Sequence, residues 1–246
     1  MEEDLYTDPL LAQFYDSASQ NRVDFECCLG LAKPDMSILD LGCGTGELAV
    51  GLAKIGAEVT GVEPAGAMLD IARGRDVDDL VTWVQDDARN VRLGRKFDLV
   101  ILTGHSFQGF LIEADQMKLL ATIAAHLTPK GRFVFDSRNP DFMELKGRKV
   151  DDNIRLLEHE LHGQIEMWNV SDYDEDKGIL TYENGFRIVA TGEEHVAGAK
   201  IHYTKQQDIA DMLVESGLFV DRWLGDWLGG EYHAKAREII PFGGLA

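Results

Sequence analysis

The chain has 246 residues and a formal net charge of -19, enough length to bury one sizeable core. A surface this acidic repels phosphate backbones and anionic lipid, and its lysines and arginines are scattered, so neither nucleic acid nor membrane is an expected partner. No apolar run approaches the roughly 20 residues of a spanning helix. The segment MEEDLYTDPL lacks the basic start and apolar stretch of a secretory signal. Three cysteines, Cys27, Cys28 and Cys43, two of them adjacent, do not make a disulfide framework. A cytoplasmic location is expected, where the triplet Asn169-Val170-Ser171 carries no glycosylation meaning.

In chain order, residues 9–32 space apolar side chains helically (Leu10, Leu11, Phe14, Tyr15, Ala18, then Val23, Phe25, Leu29) up to Pro34-Asp35. Residues 37–41 read as a short buried strand, followed by glycines and a helix over 47–55. A strand at 57–62, a helix at 65–73, and strands at 80–85 and 97–102 follow. Residues 114–127 form an amphipathic helix stopped by Pro129-Lys130-Gly131, and 132–136 the next strand. Strands alternating with helices imply parallel pairing with both sheet faces covered. Ligands of such sheets bind beyond the carboxyl ends of the strands, where strand order reverses.

From 139 to 202 the period changes to two, as in Gln164-Ile165-Glu166-Met167-Trp168-Asn169 and Gly185-Phe186-Arg187-Ile188-Val189, with a turn at 174–178. Asn184-Gly185 either makes a further hairpin or interrupts one strand. The α/β pattern then resumes. Thr204 is placed to cap a helix over 205–216 that ends at Gly217, and 218–223 and 236–242 read as closing strands.

The chemistry gathers just after the strands. Asp40-Leu41-Gly42-Cys43-Gly44-Thr45-Gly46 joins the first strand to its helix, and glycines there let the backbone turn and approach a ligand closely. The second strand ends in Glu63, about 20 residues past the glycines, where an acid can hold ribose hydroxyls. The third leads into Asp86-Asp87-Ala88. A nucleoside triphosphate loop would need Gly-Lys-Ser/Thr, which is absent. A dinucleotide fold would space its glycines G-x-G-x-x-G/A, whereas here they are G-x-G-x-G.

Ile38-Leu39-Asp40-Leu41-Gly42-Cys43-Gly44-Thr45-Gly46 resembles the first motif of the class I S-adenosylmethionine-dependent methyltransferases. Val62-Glu63-Pro64, with Met68-Leu69 and Ala72-Arg73, resembles the family's ribose-binding segment, although many members carry Asp at the Glu63 position. Val84-Gln85-Asp86-Asp87-Ala88 is similar to its adenine-contacting segment. Asp87 is the matching acid there, and Asp86 stands where Gly is usual. Phe97-Asp98-Leu99-Val100 and Leu127-Thr128-Pro129-Lys130-Gly131-Arg132-Phe133 are similar to the later strand motifs, with Lys130 replacing a common Gly. Tyr15-Asp16 resembles a pair in small-molecule members whose leading helix closes over the cofactor; a surface tyrosine is the equal alternative.

The resemblance implies a doubly wound, Rossmann-like, seven-stranded and mostly parallel sheet with an inserted antiparallel β lid. It implies one domain over 1–246: cap helices at 1–35, a cofactor-binding core at 36–138, the lid at 139–203, and a closing helix and strands at 204–246. It also implies S-adenosyl-L-methionine as cofactor, touched by Tyr15, Asp40, Gly42, Gly44, Gly46, Glu63, Pro64, Met68, Asp87, Ala88 and Thr103. It implies further that the methyl passes by in-line displacement to an N or O nucleophile of a small molecule.

On the acceptor side, Thr103-Gly104-His105-Ser106-Phe107-Gln108 follows the fourth strand. His105 there is either a general base or a histidine satisfied by backbone bonds. Arg138 is suited to a carboxylate or phosphate, or else to an ion pair with a nearby acid. Trp168 and Tyr203 are candidates for the pocket wall, though core packing is the commoner role of such rings. Gly225-Asp226-Trp227 reads as a turn with an anchoring ring. His159-Glu160-Leu161-His162 falls one residue short of a zinc-binding spacing, so no metal is expected. Two other readings stand beside this one. One is a catalytically silent binder of S-adenosylmethionine or S-adenosylhomocysteine; the other is a nicotinamide-dependent oxidoreductase, which the glycine spacing opposes. The alternating segment can pair across a two-fold axis to give a homodimer.

Overall fold

The structure, a computed structural model, describes residues 4–142 and 153–246. Four helices open the chain: α1 (Asp4–Thr7), α2 (Pro9–Gln13), α3 (Tyr15–Ala18) and α4 (Val23–Leu31). The helical period expected over 9–32 is present but its continuity is not. Asp8 caps α2 by accepting from the Leu10 and Leu11 amides, with Pro9 at the first helical position. The chain breaks again before α4, where Asn21 turns it at φ 59°.

Then come β1 (Ser37–Leu41), α5 (Glu47–Lys54), β2 (Glu58–Val62), α6 (Gly66–Arg75), β3 (Val81–Val84) and β4 (Phe97–Leu102). A 3-10 turn (Ser106–Gly109), α7 (Glu113–His126), β5 (Leu127–Phe135) and β6 (Ser137–Arg138) follow. After the lid strands β7 (Arg155–His159), β8 (Gly163–Asp174), β9 (Ile179–Ile188) and β10 (Glu194–His202), the chain closes with α8 (Gln206–Glu215), β11 (Leu218–Leu224) and β12 (Glu238–Leu245).

The main sheet runs β3-β2-β1-β4-β5-β12-β11, with β6 beside β12 as its eighth strand. Neighbours from β3 to β5 are parallel, while β12 runs antiparallel to both β5 and β11. This is the doubly wound sheet that the sequence implies. Its central strands are apolar on both sides because both faces are covered. Leu39 and Leu41 pack with Val100, Leu102 and the α7 side chains Leu119, Leu120 and Ile123. Ile38 packs on the opposite face with Leu99, Ile101 and the α5 side chains Leu48 and Leu52. Each such leucine contributes about 2 kcal/mol by leaving water. Strand order reverses between β1 and β4, so the loops after those two strands flank the natural ligand crevice.

The second sheet, β10-β9-β8-β7, is antiparallel throughout. Its inner face (Ile165, Met167, Phe186, Ile188, Ala197, Ala199) rests on Leu5, Leu11 and Phe14. The N-terminal helices therefore lie between this lid and the core, where Ala12 meets Ala65 and Met68.

Two open readings are decided here and one expectation, the Thr204 cap, changes. Asn184-Gly185 makes no hairpin; it lies within β9, where Gly185 pairs with Trp168 of β8. A Cβ at Gly185 would sit 2.0 Å from the indole, so the glycine makes room for the ring. Trp168, for its part, lies on the lid face opposite Met167 and Phe14, with Arg187 5.7 Å from its centroid. The two-residue period that puts Met167 inward turns Trp168 away from the crevice. Thr204 does not cap α8, whose N-cap is Lys205 without a side-chain bond. Its hydroxyl instead accepts from Gln116 (2.8 Å) and bonds His202 (2.9 Å). Among the described residues no helix is long and apolar enough to cross a membrane.

Candidate functional site

At the end of β1 the backbone enters left-handed conformations at Gly42 (φ 68°), Gly44 (φ 54°) and Gly46 (φ 77°), which glycine adopts without steric cost. The Gly42 and Cys43 amides donate to the Val62 carbonyl (2.7 and 3.1 Å), fastening this loop to the end of β2. The next residue, Glu63, accepts from Gly44 N–H through Oε2 (3.1 Å) and from Ala65 N–H through Oε1 (3.0 Å). Burial pushes its carboxyl up, and those two donors pull it back. A Cβ at Gly46 would sit 2.7 Å from Ala72 Cβ, so glycine is what lets this loop and α6 close together. At Gly44 a Cβ would meet only Tyr15 Cε1, at 4.0 Å. That opening is a cradle with a tyrosine over it.

Beneath the loop, Asp40 is 2% exposed, and its Oδ2 is buried without a partner among the described residues. Burial pushes its carboxyl up to about 7, opposed by the Arg22 guanidinium. Arg22 grips Asp24 (2.6 Å) and bonds the Tyr15 hydroxyl. A Cβ at Gly104 would lie 3.2 Å from Arg22 Nη2 and 3.7 Å from the Tyr15 hydroxyl. Both side chains thus reach over the ends of β1 and β4. Together with Asp40, Gly42, Gly44 and Thr103 they line a cavity of about 20 Å³. Asp16 fastens this N-terminal segment down, accepting from Thr45 Oγ1 (2.6 Å) and pairing with Arg75.

The other expected cofactor residues divide. Pro64 is exposed at the edge, and its carbonyl accepts from Gln85 (3.2 Å). Met68 and Ala88 point into apolar clusters. Asp87 stands at the end of β3, but its carboxylate accepts from the Arg89 amide (2.8 Å) and from its guanidinium (3.0 and 2.5 Å). Arg89 thereby holds the Asp87 carboxyl below its ordinary range.

Beyond β4, His105 sits at φ 61°, a left-handed position costing a β-carbon residue on the order of 1 kcal/mol. The Asp136 carboxylate offsets that cost by accepting the His105 backbone N–H (2.8 Å). The ring Nε2 lies 2.9 Å from Glu238 Oε2 and 3.5 Å from Asp136 Oδ2. Burial pushes the Asp136 carboxyl up, with His105 opposing. Trp227 donates to Asp136 (3.3 Å), while Asp226 accepts from the Leu228 and Gly230 amides, which makes this segment the anchored turn read from the sequence.

Arg138 faces Glu238 across the β6–β12 pair, and its guanidinium bonds Gln108 Oε1 (3.0 Å). It makes no ion pair among the described residues, so the ion-pair alternative is not what is found. Tyr203 is a buried ring set edge-on to Tyr173 at 5.8 Å. His159 and His162 stack on each other (4.9 Å) beside Phe14.

Sequence reasoning missed Arg22 and Glu238. Glu238 lies 133 residues from His105, whereas Arg22 is local to Asp24 and Tyr15; neither carries a recognisable motif.

The model of the methyltransferase domain matches residues 38–131. The cypemycin N-terminal methyltransferase of a Streptomyces species is 27% identical over 209 residues, spanning 83% of this chain and 81% of that one. The dTDP-3-amino-3,4,6-trideoxy-alpha-D-glucopyranose N,N-dimethyltransferase of Streptomyces venezuelae is 37% identical over 101 residues; the match spans 41% of either protein. Among solved structures, the CcbJ methyltransferase from Streptomyces caelestis superposes with a TM-score of 0.84 over 100% of both chains at 21% identity. Streptomyces venezuelae DesVI gives 0.78 over 95% of both at 22%. These two likenesses establish the fold. Fold and glycine loop together define the class I α/β methyltransferases. With residues 38–131 matching the methyltransferase domain, the chain is an S-adenosylmethionine-dependent methyltransferase.

Proposed function

We propose that this methyltransferase transfers its methyl group to an amine nitrogen of a small molecule. The observation that carries the reading is His105, held at the switch point of the sheet by the Glu238 and Asp136 carboxylates. An amine reaches the enzyme as an ammonium, which paired carboxylates attract, and it must lose a proton before its lone pair can attack. A hydroxyl would develop negative charge beside the same carboxylates, which opposes it. Several similar proteins are named as N-methyltransferases, which agrees with this choice.

The residues fit S-adenosylmethionine. Asp40 offers a buried carboxylate oxygen without a partner, and the open face at Gly44 would be filled by any side chain there. Glu63 stands where ribose hydroxyls would replace its two amide donors. Asp40 and Arg22 would hold the charged methionine end, with Gly42, Gly46 and Thr103 around it, and Tyr15 would close over the cradle. The adenine edge would fall to Asp87, flanked by Pro64, Met68 and Ala88. When bound, the cofactor supplies the methyl group on a positively charged sulfur that leaves as a neutral thioether. His105 takes the acceptor's proton, and Arg138 holds an anionic group elsewhere on the acceptor. The lid and N-terminal helices exclude water. All of this is the work of a single domain over 1–246.

Calorimetric titration with S-adenosylmethionine, S-adenosylhomocysteine and NAD tests the cofactor half. Micromolar binding of the two sulfur compounds alone, lost in Glu63→Ala, is expected; preference for NAD would overturn it. The acceptor half is tested with dTDP-3-amino-3,4,6-trideoxyglucose, a short peptide with a free α-amine, and a catechol. Methylation of an amine is expected. Turnover of the catechol alone, or of none despite tight cofactor binding, would refute it.

A further inference from the structure

We propose that Glu238, on the last strand of the sheet, is a positioning residue: it holds His105 as the Nε2–H tautomer and so makes Nδ1 the atom that takes the acceptor's proton. The proposal rests on the amine-methylating reading above and names the machinery of its proton step.

The geometry assigns the tautomer. Nε2 faces only carboxylate oxygens, Glu238 Oε2 at 2.9 Å and Asp136 Oδ2 at 3.5 Å. An ionised carboxylate only accepts, so the ring proton belongs on Nε2 and the lone pair on Nδ1. Nδ1 makes no hydrogen bond among the described residues and is not one of the buried atoms left without a partner, so it is open to an incoming molecule. The ring cannot swing away easily. Its backbone N–H is held by Asp136 Oδ1 (2.8 Å), and Trp227 and the Glu238–Arg138 strand pair fix the two acids.

This group sits where transfer would occur. The residues around it abut the cofactor loop: a Cβ at Gly42 would lie 3.3 Å from Ser106 Oγ, and one at Gly104 3.7 Å from the Tyr15 hydroxyl. Among the described residues none of the other charged groups nearby bonds Nδ1. Arg138 bonds Gln108, Arg22 pairs with Asp24, Asp40 lies beneath the loop, and Arg237 Nε is 3.7 Å from the far oxygen of Glu238.

The step balances simply. One N–H bond of the acceptor ammonium breaks, with its electron pair remaining on the acceptor nitrogen as the attacking lone pair. The proton forms an Nδ1–H bond on His105. The resulting imidazolium keeps its Nε2–H on Glu238, and its charge is countered by the Glu238 and Asp136 carboxylates. The proton later leaves to solvent through the open side of Nδ1.

The test combines histidine-selective 15N NMR with kinetics, using dTDP-3-amino-3,4,6-trideoxyglucose as acceptor. In the unaltered protein at pH 8, His105 is expected as the Nε2–H tautomer. In Glu238→Gln, whose amide can either donate or accept, the Nδ1–H population is expected to rise at least about threefold. The same variant is expected to lower kcat by about 10- to 100-fold while KM changes by less than about threefold. Glu238→Asp is expected to restore most of both the tautomer and kcat. S-adenosylmethionine binding, followed by calorimetry, should persist in either variant and shows that they are folded. An Nδ1–H ring in the unaltered protein, or an unchanged tautomer in Glu238→Gln, overturns the proposal. A thermal shift with no change of tautomer means that Glu238 is merely structural and overturns it too. Should no amine be methylated, the amine reading fails by itself, while the NMR arm still decides whether Glu238 sets the tautomer.

Discussion

At the scale of single residues, the site is a set of carboxylates distinguished by their partners. Glu63 is satisfied by two backbone amides, Asp87 by Arg89, Glu238 by a histidine, and one oxygen of Asp40 by nothing among the described residues. Arg138 is the complementary case, a half-buried guanidinium bonded to a neutral amide oxygen. A charge-assisted bond to an acceptor anion contributes about 1.5–3 kcal/mol. Arg138→Gln is therefore expected to raise KM for the dTDP-linked amine by about 10- to 100-fold, leaving kcat within a few-fold. Initial-rate kinetics decide it, and a fall in kcat with constant KM would contradict the anion-binding role. The meeting of the glycine loop with Glu63 was legible in the sequence because it is local: three glycines within five residues and an acid at the next strand end. On the acceptor side the sequence offered His105 and Arg138 but not the acid that holds His105. His105 and Glu238 are 133 residues apart, and only strand pairing brings them together. Asp87 was legible as a position but not in its state, since a motif cannot show that Arg89, two residues on, occupies the carboxylate.

Among the elements, the N-terminal helices are the piece with two masters. Phe14 is fully buried, stacked on Phe186 of the lid at 4.8 Å, while Ala12 on the same segment packs with Ala65 and Met68 of the core. Asp16 supplies the polar tie, to Thr45 and Arg75. Its ion pair is about one-third exposed, so it contributes little to global stability. It does govern how often a short, weakly helical segment lifts from the glycine loop. Asp16→Asn is expected to speed amide exchange over residues 9–19 about 5-fold or more, with a thermal midpoint lowered by no more than a few degrees. Exchange mass spectrometry checks this; unchanged exchange would mean that lid packing alone holds the segment. The apolar period announced these helices, but a periodic pattern does not show where the axis breaks. Breaks at Phe14, between α2 and α3, and at left-handed Asn21, before α4, divide what reads as one continuous stripe. The core strands were easier to read, because burial on both faces leaves runs such as Ile38-Leu39-Asp40-Leu41 with few other fates.

Taken whole, the molecule gathers negative charge at the carboxyl ends of its strands. Asp24, Asp40, Glu63, Asp136 and Glu238 are all less than a tenth exposed in a chain of net charge -19. For Asp40, Glu63 and Asp136 burial is the leading cause, and it pushes their carboxyls up. A raised folded value means that the stability these groups contribute is full below the ordinary carboxylate range and is lost as pH rises through the folded values. For Asp40 that window runs from its ordinary 3.8 to about 7, a loss on the order of 4 kcal/mol at most. The thermal midpoint of the cofactor-free protein is therefore expected to be higher near pH 5.5 than near pH 8, and Asp40→Asn should flatten that slope. A cationic ligand reverses the preference, because it favours the ionised Asp40. Binding of S-adenosylmethionine should then release protons between pH 6 and 7 and tighten as pH rises toward 8. Calorimetry in two buffers of different ionisation enthalpy reads the released protons directly. Proton uptake, or an equal release in Asp40→Asn, would show that Asp40 does not face the ligand. The uncompensated carboxylate that weakens the empty fold is on this account the group that selects a positively charged cofactor.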